Sequence, residues 1–149
     1  MLKFSKANAK NQNLSDNPSL SGYLAGNRKV YSLDLLSGWN CPGAKDCKSK
    51  VKIVNGKRKV VDGSSCQFRC FSAMQECIYP KVYTARKHNA DLLRGKSRKE
   101  IRTIILNSLP ENAGIIRLHV AGDFFSRDYL LAIKDVASIR QDILFYGYT

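Results

Sequence analysis

The sequence has little that points to a membrane or to a common catalytic motif. It contains no apolar run approaching the roughly 20 residues of a transmembrane helix, and its N-terminus has no apolar segment of the secretory kind. A catalytic triad, a glycine-rich phosphate loop and a closely spaced carboxylate pair are also missing. These absences argue against a secreted or membrane-spanning protein, and we expect a cytoplasmic one with no membrane partner.

Acidic residues are scarce. Twelve Asp and Glu stand against 25 Lys and Arg, which gives a net charge of +13. This balance favours association with polyanions, and nucleic acid is the first candidate partner. The five cysteines are an odd number without a secretory signal, which argues for a reducing compartment and against a disulfide framework.

All five cysteines lie in one stretch, residues 41–77. Within it, VKIVNGKRKVV has two β-branched runs joined by Asn55-Gly56, the strongest short signal for a β-hairpin, because a type I′ turn needs positive φ at both central residues. The sequence therefore predicts a cysteine-rich hairpin.

Four of the thiols flank this hairpin. Cys47 and Cys66 stand beside its two ends, with Cys41 before the first end and Cys70 after the second. Folding the hairpin would bring these thiols together, which suits a thiolate-bound metal or an iron–sulfur centre. Unligated, buried cysteines are the alternative. Cys77 would share a helix face with Cys70, and we expect it in the core unless it replaces Cys66 as a ligand.

A closed zinc site is one version of this centre. Cys41, Cys47, Cys66 and Cys70 would bind the zinc and staple a basic hairpin without catalytic activity. The hairpin would then present positive charge to nucleic-acid phosphates, although a merely solvated face has the same composition. The basic residues concerned are Lys50, Lys52, Lys57, Arg58 and Lys59.

Hydrophobic patterning along the chain predicts strands and helices in alternation. Residues 1–28 are rich in Asn, Ser and Lys and predict a flexible N-terminal arm. Strands are predicted at 29–36, 115–123 and 143–149, and helices at 71–79, 80–94, from 97 to near 110, and at 126–140. In strand 115–123, Ile116, Leu118 and Val120 point to one face and Arg117, His119 and Asp123 to the other. The stripe expected to be buried in the last helix comprises Tyr129, Leu130, Ile133, Val136 and Ala137.

This order predicts an α/β fold. Residues 29–149 would form a single α/β domain, with a partial (β/α) barrel-like parallel sheet of about three strands and a cysteine-rich β-hairpin insertion at 41–77. The domain would be truncated or an incomplete barrel, because it ends on a strand. An open edge attracts other strands, and we expect another subunit or a larger protein partner to cover it.

Four motifs together resemble the gene product 88 family of bacteriophages: CPGAKDC, FRCFSAMQE, RLHVAGDFFS and FYGYT. The resemblance runs from about Tyr31 to the end of the chain. It implies a phage protein that acts in the host cytoplasm.

The arrangement also resembles the front half of a radical S-adenosylmethionine barrel, in which a cysteine loop follows the first strand. That resemblance implies that Cys41, Cys47 and Cys70 hold a [4Fe–4S] cluster with one iron left open. Ala121-Gly122-Asp123 would replace the turn that contacts S-adenosylmethionine, and His119, Gly122 and Asp123 would bind the cofactor. The sequence thus predicts an iron–sulfur phage protein of unknown substrate, with the zinc-stapled nucleic-acid-binding protein as the alternative.

Overall fold

The computed structural model describes residues 1–6, 13–64 and 66–148. The strands are β1 (Ser5–Lys6), β2 (Lys29–Leu33), β3 (Lys50–Val54), β4 (Lys57–Val61), β5 (Ala113–Leu118) and β6 (Leu144–Gly147). The α-helices are α1 (Phe71–Ile78), α2 (Pro80–Leu93), α3 (Arg98–Leu106) and α4 (Arg127–Ile139). Two short 3-10 helices span Asn13–Asp16 and Pro18–Leu24.

The main sheet is mixed and open, with strand order β1–β2–β5–β6. β2, β5 and β6 run parallel to one another, and β1 pairs antiparallel with β2. The predicted α/β class and the three parallel strands are therefore confirmed, whereas β1 was not predicted. The described part of the chain forms no closed barrel, and the barrel-like character of the sheet stays a prediction.

A second, two-stranded sheet consists of β3 and β4. Asn55 and Gly56 connect the strands with φ of 50° and 73°, the positive values that a type I′ turn requires. Val51 pairs with Val60 across the hairpin and is buried, which fixes one face of the hairpin against the domain. The opposite face remains free to carry charge.

Local sequence signals set where the helices begin. Ser97 accepts a hydrogen bond from the backbone N–H of Glu100, whose carboxylate accepts one from Ser97 in return, and this capping box starts α3. Pro80 occupies the first position of α2, and the Ser126 hydroxyl accepts from Tyr129 N to start α4. The predicted starts of all three helices are confirmed.

The core lies between β2 and β5 on one side and α3 and α4 on the other. Its members are Leu2, Leu33, Leu35, Leu93, Ile101, Ile105, Ala113, Ile116, Leu118, Tyr129, Ala132, Ile133, Val136 and Ile143. Ile115 and Ile116 are both fully buried, so both faces of β5 are covered. One expectation about the last helix was wrong. Leu130 is exposed, and Ala132 takes its place in the core.

The N-terminal residues contact the domain where the structure describes them. Leu2 is buried in the core, and the backbone N–H of Lys3 donates to Asn89 Oδ1 at 2.8 Å. β1 then adds to the sheet at Ser5–Lys6. The part of the predicted flexible arm at residues 7–12 lies outside the described residues.

β6 lies at one edge of the main sheet, where no further strand pairs with it among the described residues. Its large side chains are half-buried, and Tyr148 just beyond it is exposed. The partner expected at this edge stays a prediction. In the part of the chain that the structure describes, no helix is long and apolar enough to cross a membrane.

Candidate functional site

The candidate site lies at the carboxyl edge of the parallel strands. β2 and β5 both end here, and their pairing continues into the loops: His119 N donates to Leu33 O, and Leu35 N donates to Ala121 O, each at 3.0 Å. In open α/β sheets this edge is the usual place for a ligand, because the loops that follow the strands diverge and leave a crevice. Most of the predicted site residues lie in or beside these loops.

His119 follows β5 directly and is buried in an unusual backbone conformation. Its φ is 60°, which is rare for a residue with a side chain, and it ends the strand instead of continuing it. Nε2 lies 3.0 Å from the Tyr129 hydroxyl, while Nδ1 is buried with no hydrogen-bond partner among the described residues. Burial lowers the pKa of His119 to about 4, with the Asp123 charge acting against it. The side chain is therefore neutral near pH 7.

Gly122 and Asp123 lie further along the same loop. Gly122 has a φ of 80°, and a Cβ there would stand 2.6 Å from Leu35 Cβ, so only glycine lets this loop pack against the loop after β2. Asp123 is half-buried, and its Oδ1 accepts from Phe124 N at 2.7 Å. The predicted positions His119, Gly122 and Asp123 thus form one short loop at the carboxyl edge.

A buried ionic network, which was not predicted from the sequence, holds the loops at this edge in place. Glu76 is fully buried, and its Oε1 accepts from Ser37 N, from Ser37 Oγ and from Arg86 Nη1 at 2.9–3.1 Å. Arg86 also faces Asp34, whose Oδ1 accepts from Val120 N at 2.9 Å. The network therefore ties α1 and α2 to the loops after both β2 and β5.

Burial raises the pKa of Glu76 and of Asp34, and Arg86 opposes the rise in both. Asp34 interrupts the apolar run Leu33–Leu36. A charged residue inside such a run is the one signal in the sequence that could have identified Asp34 as a member of the buried network.

Three of the predicted thiol ligands lie together beside this edge. The charges of Cys70, Asp123 and Cys47 all act on the Cys41 thiol, and Gly38 hydrogen-bonds to it through the backbone. Burial is the main reason that the pKa of Cys41 rises to about 11, and Coulombic interactions with Cys70, Asp123 and Cys47 add to the rise. Cys41 therefore lies within electrostatic range of Cys47, Cys70 and Asp123.

Ser49 links Cys66, the fourth predicted ligand, to Cys70. It is fully buried, and its hydroxyl accepts from Cys70 N at 3.2 Å and lies 3.6 Å from Cys66 Sγ. A Cβ on Gly38 would approach Ser49 O to 2.4 Å, so the loop that carries Cys41 runs directly over Ser49. Ser49 was not singled out from the sequence, although it lies within the cysteine-rich stretch.

The thiols are close without forming a finished metal site. Within residues 1–6, 13–64 and 66–148, no group of three or more His, Cys, Asp or Glu side chains has metal-binding geometry. The four thiols lie on residues 41–49, 62–64 and 66–70, which contain neither helix nor strand, and all are half-buried and free. Cys66 Sγ instead donates to Phe68 O at 3.1 Å.

Cys77 binds the hairpin and not the other thiols. Its Sγ donates to Arg58 O at 3.2 Å, while Arg58 Nε donates to Cys77 O at 3.1 Å. This reciprocal pair joins α1 to β4. It also places Arg58, which was predicted to contact nucleic acid, on the inner face of the hairpin.

The outer face of the hairpin gathers the other four predicted basic residues. Cross-strand pairs are Lys50 with Val61, Lys52 with Lys59, and Val54 with Lys57. Because alternate pairs share a face, Lys50, Lys52, Lys57 and Lys59 all project from the same side. We refer to these four residues as the lysine face.

Comparison with known proteins identifies the family. A family model described as Gene product 88 matches residues 2–149. No curated protein and no solved structure matches the chain. Nothing in these comparisons supports the resemblance to radical S-adenosylmethionine enzymes, whereas the bacteriophage family predicted from the four motifs is confirmed. The chain therefore belongs to the Gene product 88 family.

Proposed function

We propose that the chain binds a metal centre, most favourably an iron–sulfur cluster, through Cys41, Cys47 and Cys70 at the carboxyl edge of the sheet. The observation that carries this proposal is the convergence of three cysteines on the Ser49 hydroxyl, which lies 3.3 Å from Cys47 O, 3.2 Å from Cys70 N and 3.6 Å from Cys66 Sγ. Cys41 lies within electrostatic range of Cys47 and Cys70, and cysteine is the soft ligand that such metals prefer. Cys66, linked to Cys70 through Ser49, is the fourth ligand if the metal is zinc.

The residues present fit such a group in chemistry. Cysteine thiolates are the ligands of iron–sulfur clusters and of structural zinc. Asn40, directly before Cys41, has a buried Oδ1 with no hydrogen-bond partner among the described residues. A hydrogen-bond acceptor next to the thiols is therefore available to a bound group. The thiols lie on loops, and metal binding would have to bring them into a complete ligand set.

A cluster bound by three thiolates would leave one iron free to take a further ligand. His119, Gly122 and Asp123 would then line the place where that ligand lies, with Asp123 supplying negative charge and His119 a neutral ring. S-adenosylmethionine as the ligand stays a prediction, as does any substrate. The ionic network of Arg86 would hold both loops in position around it.

Serine substitutions should separate ligands from structural cysteines. We expect Cys41→Ser, Cys47→Ser and Cys70→Ser each to abolish stoichiometric iron and sulfide after anaerobic reconstitution, because a hydroxyl is a poor ligand for these metals. Cys77→Ser is the matched control and should retain the metal, since Cys77 binds Arg58 O instead. Loss of metal with Cys66→Ser would indicate four thiolates, and retention would indicate three. Full metal content in the first three variants would refute the proposed ligand set.

The lysine face supports a second function, nucleic-acid binding. Lys52 and Lys59 lie directly opposite each other in the hairpin, and like charges in that position destabilise a sheet. Among the described residues no carboxylate forms an ion pair with any of the four lysines. A polyanion would relieve this repulsion, because its phosphates would neutralise several lysines at once.

Salt dependence should reveal this function. We expect the affinity for a short DNA to fall steeply with salt, and the triple variant Lys52→Glu/Lys57→Glu/Lys59→Glu to flatten the slope of log K against log salt by roughly 0.7–0.9 for each lost contact. Lys134→Glu, on α4, is the control for a charge reversal outside the hairpin and should leave the slope unchanged. Binding whose slope the triple variant leaves unaltered would exclude the hairpin as the contact surface.

A further inference from the structure

A groove of about 330 Å³ separates the hairpin from α2. Its volume is within the range of about 300–1,000 Å³ typical of ligand sites. The lining includes aromatic rings, one exposed apolar side chain and basic groups: Trp39, Tyr83, Ile53, Lys52, Lys87 and Arg94. The lysine face borders the groove through Lys52, so the two surfaces are continuous.

Trp39 is the main aromatic residue of the groove. A hydrogen bond fixes its ring, and about half of its surface is accessible to solvent. The indole N–H donates to Val51 O at 3.2 Å, which fixes the ring against β3. Its exposure is nevertheless 48%, high for a tryptophan that packs on a hairpin. Lys50 Nζ lies 4.4 Å from the ring centroid, so a cation already occupies part of the ring surface. An immobilised, half-exposed indole beside cations is a stacking platform.

The charges around the groove are predominantly positive. Lys87 and Arg94 both bind Asp91, which neutralises only one of them. With Lys52 on the opposite wall, three basic groups and a single carboxylate line the groove, and Lys50 over the Trp39 ring adds a fourth positive charge beside it. Phosphates could therefore run along either wall while a base enters between them.

We propose that this groove binds single-stranded nucleic acid by stacking an unpaired base on Trp39, with phosphates on Lys50, Lys52 and Lys87. The proposal rests on the nucleic-acid function of the lysine face and narrows it to single strands. A duplex keeps its bases stacked on each other and cannot present a free face to the indole, whereas a single strand can. Stacking does not read base edges, so the site should accept DNA and RNA of many sequences.

Trp39 is the only tryptophan in the chain, so its fluorescence reports on the groove directly. We expect oligothymidylate and oligouridylate to quench it at low salt, and a duplex of the same length to quench it little. With labelled oligothymidylate, Trp39→Leu should weaken binding by about 10-fold, the size expected for one stacked base, and Trp39→Phe should restore much of the loss. Lys134→Glu serves as the control for general charge effects.

Any one of three results would overturn the proposal. Equal affinity for single strands and duplexes, with unchanged indole fluorescence, would exclude stacking in the groove and leave the lysine face as the binding surface. Absence of binding to either at low salt would exclude both the groove and the lysine face. Weakened binding in Trp39→Leu without rescue by Trp39→Phe, in folded protein, would show that the position matters without stacking.

Discussion

Replacing Arg86 with methionine should destabilise the domain by about 3–5 kcal/mol, the cost of leaving buried charge unpaired. Arg86 is 5% exposed and provides the positive charge that faces both Glu76 and Asp34. Without it, Glu76 must either remain charged in the interior or take up a proton. Urea unfolding at neutral pH measures the effect.

Two further measurements make this prediction specific to the ionic network. The difference in unfolding free energy between Arg86→Met and the parent chain should become smaller as pH falls, because protonation of the buried carboxyls removes the unpaired charge. The double variant Glu76→Leu/Arg86→Met should recover much of the lost stability, since an apolar replacement of a buried pair is often neutral or better. An Arg86→Met protein within about 1 kcal/mol of the parent chain would show that the network contributes little.

His119 should make the domain less stable in mild acid. Its pKa is about 4 in the folded chain and 6.5 for the free side chain, so protons bind more tightly to the unfolded state. The contribution of neutral His119 to the free energy of unfolding is therefore fully present above pH 6.5 and is lost as pH falls from 6.5 towards 4. At 1.36 kcal/mol per pKa unit, this difference amounts to about 3 kcal/mol.

Comparison with a neutral variant isolates this effect. Asn tolerates positive φ, so His119→Asn should fold while lacking the titrating group. The pH slope of its unfolding free energy between pH 6.5 and 4 should be smaller than that of the parent chain. Asp34 and Glu76 have raised pKa values and act in the opposite direction, but they are common to both proteins and cancel. Identical slopes in the two proteins would rule out a buried, neutral His119.

Signals that act over a few residues explain what could be predicted of the fold. The capping box of Ser97 and Glu100, Pro80 at the start of α2 and the Asn55-Gly56 turn each restrict local dihedrals, and all three are in the structure as predicted. β1 could not be predicted in this way. Ser5 and Lys6 have no strand pattern of their own and pair only because the edge of β2 is open to them.

The candidate site shows the same division. The proximity of Cys47, Cys66 and Cys70 follows from the hairpin, whose two ends must meet. The approach of Asp123 to Cys41 depends on parallel pairing between strands more than 80 residues apart, which no local pattern encodes. The ionic network could not be predicted from the sequence for the same reason. Whether a charged side chain is buried and paired depends on tertiary contacts.

The central claim is that the thiols at the carboxyl edge of the sheet bind a metal centre. Metal and acid-labile sulfide analysis of the anaerobically purified chain, together with its absorbance spectrum, tests it most directly. We expect stoichiometric iron with labile sulfide and the broad visible absorbance of a cluster, or else one zinc per chain if Cys66 completes a four-thiolate site. A folded chain that contains no metal, and binds none on anaerobic reconstitution, would contradict it.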